Sequence, residues 1–75
     1  MKRDFETKFG TITLQNVMVD IDGTNLEEGI DISLNDELIG TAYGDGTDFD
    51  FDNDEYVTIE MVEDYVVEFA DIDKL

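Results

Sequence analysis

The chain has no cysteine, no histidine, no proline and no tryptophan, and only four of its 75 residues are basic. Each absence excludes something. Without cysteine no disulfide can staple the fold, and without cysteine or histidine the usual zinc sites, thiol nucleophiles and imidazole bases are missing. No segment approaches the length of a membrane span, and the stretch from Met1 to Glu6 lacks the apolar run of a secretion signal. A cytoplasmic, non-enzymatic protein that needs no cofactor is the expectation.

What is abundant is negative charge. Twenty-one acidic residues face four basic ones, giving a formal net charge of -17, whereas a small soluble domain ordinarily carries a magnitude of roughly 2–8. Lys2, Arg3, Lys8 and Lys74 sit at the two ends, so residues 9–73 contain no basic side chain and hold all the acids except Asp4 and Glu6. Salt bridges within that stretch are impossible. Self-repulsion of this kind destabilises a compact state, and a partner that neutralises the field relieves it. Disorder is the obvious alternative for so acidic a chain, but 41% hydrophobic residues, eight aromatics and clear periodicities argue for folding. A salt-adapted acidic coat is a second alternative, although a coat need not gather into stripes. A chain this short buries only about 60% of its unfolded surface and forms one domain, residues 1–75.

Hydrophobic spacing divides the chain into strands followed by one helix. Phe5, Thr7 and Phe9 alternate with polar residues, Gly10 interrupts, and Ile12 and Leu14 continue on the other parity, which predicts a bulge or bend at Gly10. Val17, Val19 and Ile21 change parity again, so Gln15-Asn16 is read as a tight turn. Asp22-Gly23-Thr24-Asn25 closes that strand. Ile30, Ile32 and Leu34 alternate, and the run Leu38–Tyr43 after Asn35-Asp36 completes a hairpin. Asp48 to Asp54 has strict period two, which in an extended chain separates carboxylates from Phe49 and Phe51. Thr58 is a candidate N-cap for a helix with Ile59, Val62, Tyr65, Val66, Phe69 and Ala70 on one face and Glu60, Glu63, Asp64, Glu68 and Asp71 opposite. The expected fold is α+β: an antiparallel sheet of four to five strands with one C-terminal helix packed on one face.

Two short motifs suggest chemistry. The segment from Val17 to Thr24 resembles the first motif of the haloacid dehalogenase phosphatases, which implies Asp20 as nucleophile and Asp22 as general acid around magnesium. Against it, only 51 residues follow Thr24 and no lysine occurs between Lys8 and Lys74, leaving no room for that family's parallel sheet. Asp48-x-Asp50-x-Asp52-Asn53 resembles the start of an EF-hand loop, but Asn53 and Ile59 occupy the positions of the required glycine and bidentate glutamate. A looser calcium-binding module using Asp48 to Glu55 is the alternative function, as is an acidic assembly subunit that caps a basic protein.

The larger constellation is the acidic surface itself. Alternate strand residues lie about 6.6–6.8 Å apart on one face, so Asp48, Asp50, Asp52 and Asp54 are expected as one row, continued by Glu55, with the helix acids as a second. Merely solvated faces would be served by mixed lysine and glutamate, which adds favourable i,i+4 pairs; every such opportunity is declined. In size, charge and composition the chain resembles the small phage-encoded DNA-mimic inhibitors of the anti-CRISPR and anti-restriction type, including inhibitors of uracil-DNA glycosylase. That resemblance is one of class, over the whole chain, without a shared motif. It implies a cytoplasmic monomer or homodimer that occupies the nucleic-acid site of a CRISPR effector or restriction enzyme and binds neither nucleic acid nor membrane; within the class an anti-CRISPR is the favoured expectation, because very short chains are common in that group. The expected partner-binding residues are Asp48, Asp50, Asp52, Asp54, Glu55, Glu60, Glu63, Asp64, Glu68 and Asp71.

Overall fold

Two tight turns, Lys8-Phe9 and Asn35-Asp36, and one Asp-Gly loop convert the alternating segments into a four-stranded meander. The computed structural model describes residues 2–20, 22–53, 56–70 and 72. Strands β1 (Lys2–Thr7), β2 (Gly10–Asp20), β3 (Leu26–Leu34) and β4 (Glu37–Tyr43) lie in the order β1-β2-β3-β4, each antiparallel to the next. A 3₁₀ turn spans Gly44–Asp48, and the helix α1 spans Ile59–Ala70. The α+β expectation holds, with four strands and one α-helix among the described residues.

The sequence-based boundaries need two corrections. Gly10 does not make a bulge: Thr7 pairs with Gly10 across the two-residue turn Lys8-Phe9, and Gly10 has φ +128, a conformation that L side chains rarely adopt. Nor is there a turn at Gln15-Asn16, because β2 runs unbroken from Gly10 to Asp20. The parity change there has a packing cause. β1 pairs only with residues 10–15 of β2 and β4 only with residues 29–34 of β3, so the far half of the β2–β3 hairpin extends past its neighbours as a two-stranded arm. On the arm the apolar residues Val17 and Val19 switch to the opposite face of the sheet. Both approach the space a Cβ would occupy at Gly29, their cross-strand neighbour region.

The other expected turns are present. Asn35 and Asp36 both have positive φ, 51 and 72, the signature of the type I′ turn that matches strand twist. Asn35 also accepts a bond from the Thr11 N–H through Oδ1 (3.0 Å) and donates its own N–H to the Thr11 carbonyl (2.8 Å). One loop residue therefore ties two hairpins together.

The core lies between one sheet face and a covering layer made of α1 and residues 44–53. Phe5, Ile12, Leu14, Ile30, Ile32 and Ala42 come from the sheet; Phe51, Val62, Tyr65, Val66 and Ile72 cover them. Thr58 caps the helix as expected, its Oγ1 accepting the Met61 N–H at 3.2 Å. Tyr65 fixes the layer internally. Its hydroxyl donates to the Gly46 carbonyl at 2.7 Å, and its ring lies between Phe49, stacked at 4.4 Å, and Phe69, tilted at 4.8 Å. Burial, with Glu68 adding a like charge, pushes the Tyr65 phenol up to about 12.

Candidate partner-binding surface

Residues 48–52 are not a strand, so the expected regular row of aspartates is corrected. Asp48 ends the 3₁₀ turn, Phe49 is extended, Asp50 is irregular, and Phe51-Asp52 turn again. The alternation nevertheless survives: Phe51 is buried, Phe49 is half-buried, and Asp48, Asp50 and Asp52 are exposed. The loop folds this way because the two rings need the core, which leaves the intervening carboxylates no direction but outward. The Arg3 guanidinium, lying 4.6 Å over the Phe5 ring, donates from Nη1 to the Phe51 carbonyl and anchors the loop to the edge strand β1.

On α1 the exposed acids are Glu60, Asp64 and Glu68. They recur every fourth residue, about 6 Å apart along the axis, and no basic residue offsets the dipole in the last turn. Glu63 behaves differently. It is half-buried and accepts the Lys8 N–H at 2.7 Å, so it ties the helix to the β1–β2 turn. Met61 and Val67 are exposed beside the acidic row, and Ile59, expected on the core face, is 42% exposed. Asp54, Glu55 and Asp71 lie outside the described residues.

Sequence reasoning missed a third acidic set, on the sheet face opposite the one that α1 and residues 44–53 cover. Thr13 donates to Asp4 (2.7 Å), Thr11 to Glu6 (2.9 Å) and Thr41 to Asp31 (2.8 Å). Each threonine stands directly opposite its acid in the strand register, so these cross-strand pairs hold carboxylates in place where lysines would normally do it. Only the register reveals them. The available signal was the concentration of threonine in strands that also carry isolated acids.

The Asp-x-Asp-Gly-Thr segment is the end of the arm. Asp22 accepts the backbone N–H groups of Thr24 and Asn25 and the Thr24 hydroxyl through Oδ1, and the Asn25 amide through Oδ2, while Asp20 accepts the Gly23 N–H. These bonds, led by the Thr24 N–H, hold the Asp22 carboxyl below its ordinary value. Both aspartates are accounted for by the turn they cap.

A cavity of about 230 Å³ opens where the arm meets the loop, lined by Asn16, Glu28 and Ile30 on one side and by residues 47–52 on the other. Among the described residues no group of three or more acidic side chains converges closely enough to hold a metal ion. No helix among them is long and apolar enough to cross a membrane. Comparisons with protein-family models, curated proteins and solved structures find no match to this chain.

Proposed function

We propose that this protein is a stoichiometric inhibitor that imitates the charge of a nucleic acid and occupies the nucleic-acid site of a basic enzyme. A host defence enzyme of the CRISPR-effector or restriction type is the favoured target, in the cytoplasm of the host cell. The observation that carries the reading is a folded surface dominated by one sign: residues 9–73 hold no basic residue, while Asp48, Asp50, Asp52, Glu60, Asp64 and Glu68 all stand exposed on the covering layer. Proteins grip duplexes chiefly through lysine and arginine set against phosphates, and such a groove accepts fixed carboxylates in their place. Inhibition by occupancy asks for no covalent step and no cofactor.

The threonine-held carboxylates add support, since fixed charges lose little entropy when a partner engages them. Electrostatic repulsion between molecules of net charge -17 also keeps the surface away from other copies and from nucleic acid itself.

The test is capture of partners from a host lysate on the immobilised protein, at low salt with a chelator present, followed by elution with short duplex DNA or guide RNA. Release of a nucleic-acid enzyme by the competitor is the expected result. Capture of a basic protein that nucleic acid fails to displace would instead establish an assembly subunit.

A further inference from the structure

The cavity between the arm and the loop combines three features that separate it from the rest of the acidic surface. The first is an orphan. Asn16, half-buried, lies on the core side of β2, and its Oδ1 is buried with no hydrogen-bond donor among the described residues, an unfavourable state that an entering donor relieves. The second is the ring of acids around the opening: Glu28 from β3 and Asp48, Asp50 and Asp52 from the loop, with no basic side chain among the lining residues. The third is apolar. Met18, directly opposite Glu28, and Leu26, two residues further out on β3, share the arm's core-side face with Asn16 and Glu28 and stand 61% and 63% exposed.

The chemistry of the lining selects the occupant. Its acceptors do not converge on a point in the way a divalent ion requires. They are spread around an opening, which suits a planar group with several donors in a fixed fork. A guanidinium has five N–H donors and no acceptor, and it sheds water more readily than an ammonium. Its aliphatic stem can lie against the half-buried Phe49 ring in the wall, and the soft χ2 torsion of asparagine lets Oδ1 turn onto an entering donor.

We infer that this cavity receives an arginine side chain of the protein partner, with Met18 and Leu26 taking the apolar residues that flank that arginine. The inference rests on the proposal that the partner is a basic protein, and it adds a specific anchor to an otherwise diffuse attraction. Anchors of this kind, an arginine in a pocket beside apolar contacts, carry most of the energy of an interface.

The test is an NMR titration of the isotope-labelled full chain at about 0.15 M salt, where exposed charges beyond about 8 Å are screened. The probes are a blocked Leu-Arg-Leu tripeptide and its Leu-Lys-Leu counterpart. Saturable shifts confined to the Asn16 side-chain amide, Met18, Leu26, Glu28 and residues 47–52 are expected, with the arginine peptide binding at least tenfold more tightly. Asn16→Leu, which removes the orphan without polar replacement, should abolish the preference. Asp50→Asn, at an exposed loop position, should weaken it severalfold with the fold unchanged, and serves if the first variant misfolds. Equal, dispersed shifts from both peptides, or an unaltered preference in both variants, would overturn the pocket. Partner capture separates the two proposals. Capture displaced by nucleic acid with no arginine preference would leave mimicry standing without the pocket; an arginine preference with capture that nucleic acid cannot displace would do the reverse.

Discussion

Replacing Asp64 with lysine should make this protein more stable and a poorer binder at the same time. Asp64 is exposed in the middle of α1, four residues after Glu60 and four before Glu68. Both pairs are repulsive in the native sequence and attractive in the variant, and each pair is worth about 0.2–0.5 kcal/mol in either sense. Reversing two of them therefore stabilises by about 0.8–2 kcal/mol, before any relief of the whole-molecule field. For a domain of this size that corresponds to an increase in melting temperature of roughly 3–16 °C, at about 4–8 °C per kcal/mol. If the row meets a basic groove, the same change sets a lysine against a cation and should weaken binding at least roughly tenfold, about 1.4 kcal/mol. Thermal melts and a binding titration against the captured partner read the two quantities separately. A higher melting temperature with unchanged binding would mean that the helix row is only a solvated face. An unchanged or lower melting temperature would refute the electrostatic account of the helix itself.

Added salt should stabilise the protein: between about 0.01 M and 1 M the screening length falls from about 30 Å to 3 Å, and melts across that range should rise steadily, whereas a flat profile would contradict dominant self-repulsion. Tyr65→Phe keeps the ring stacking but leaves the Gly46 carbonyl without its donor, so denaturation should show a loss of about 1–3 kcal/mol. Because the folded state holds the Tyr65 proton to about 12 while the unfolded chain releases it near 10, the tyrosine's contribution is complete below pH 10 and fades as pH rises toward 12. Stability measured against pH should therefore fall more in the native protein than in Tyr65→Phe over that window. Thr58→Ala removes the cap on the Met61 N–H and should cost about 1 kcal/mol in the same assay.

The parts of the fold that were legible in the sequence are those where local spacing and packing agree. The helix with its Thr58 cap, the Asn35-Asp36 turn and the Asp22–Asn25 turn needed no tertiary information, because side-chain periodicity and turn chemistry determine them. The long strand β2 was misread for a physical reason. Its parity change at Gln15-Asn16 marks the place where the covering layer ends, and a sequence cannot distinguish a strand that leaves the core from one that turns. The loop of residues 48–52 was half legible: burial alternates as expected, but the phenylalanines reach the core from a turn and not from a fifth strand.

The candidate surface divides in the same way. Asp48, Asp50, Asp52, Glu60, Asp64 and Glu68 are exposed as their spacing predicts, whereas Glu63 serves the β1–β2 turn through a contact 55 positions away in sequence. Asp4, Glu6 and Asp31 gain their fixed positions from strand register, and Asn16 and Glu28 meet Asp50 only because the arm and the loop converge. None of these relations has a local signature.

Mutual exclusion is the most direct measure of the central claim. With the captured enzyme in hand, the apparent dissociation constant of this protein should be measured at increasing concentrations of the enzyme's own nucleic-acid ligand, with the salt concentration held constant. The proposal predicts a linear rise without limit, because the two ligands compete for one basic groove. A plateau, or a complex containing all three components, would show that the acidic surface binds elsewhere and that nucleic-acid mimicry is not how this protein works.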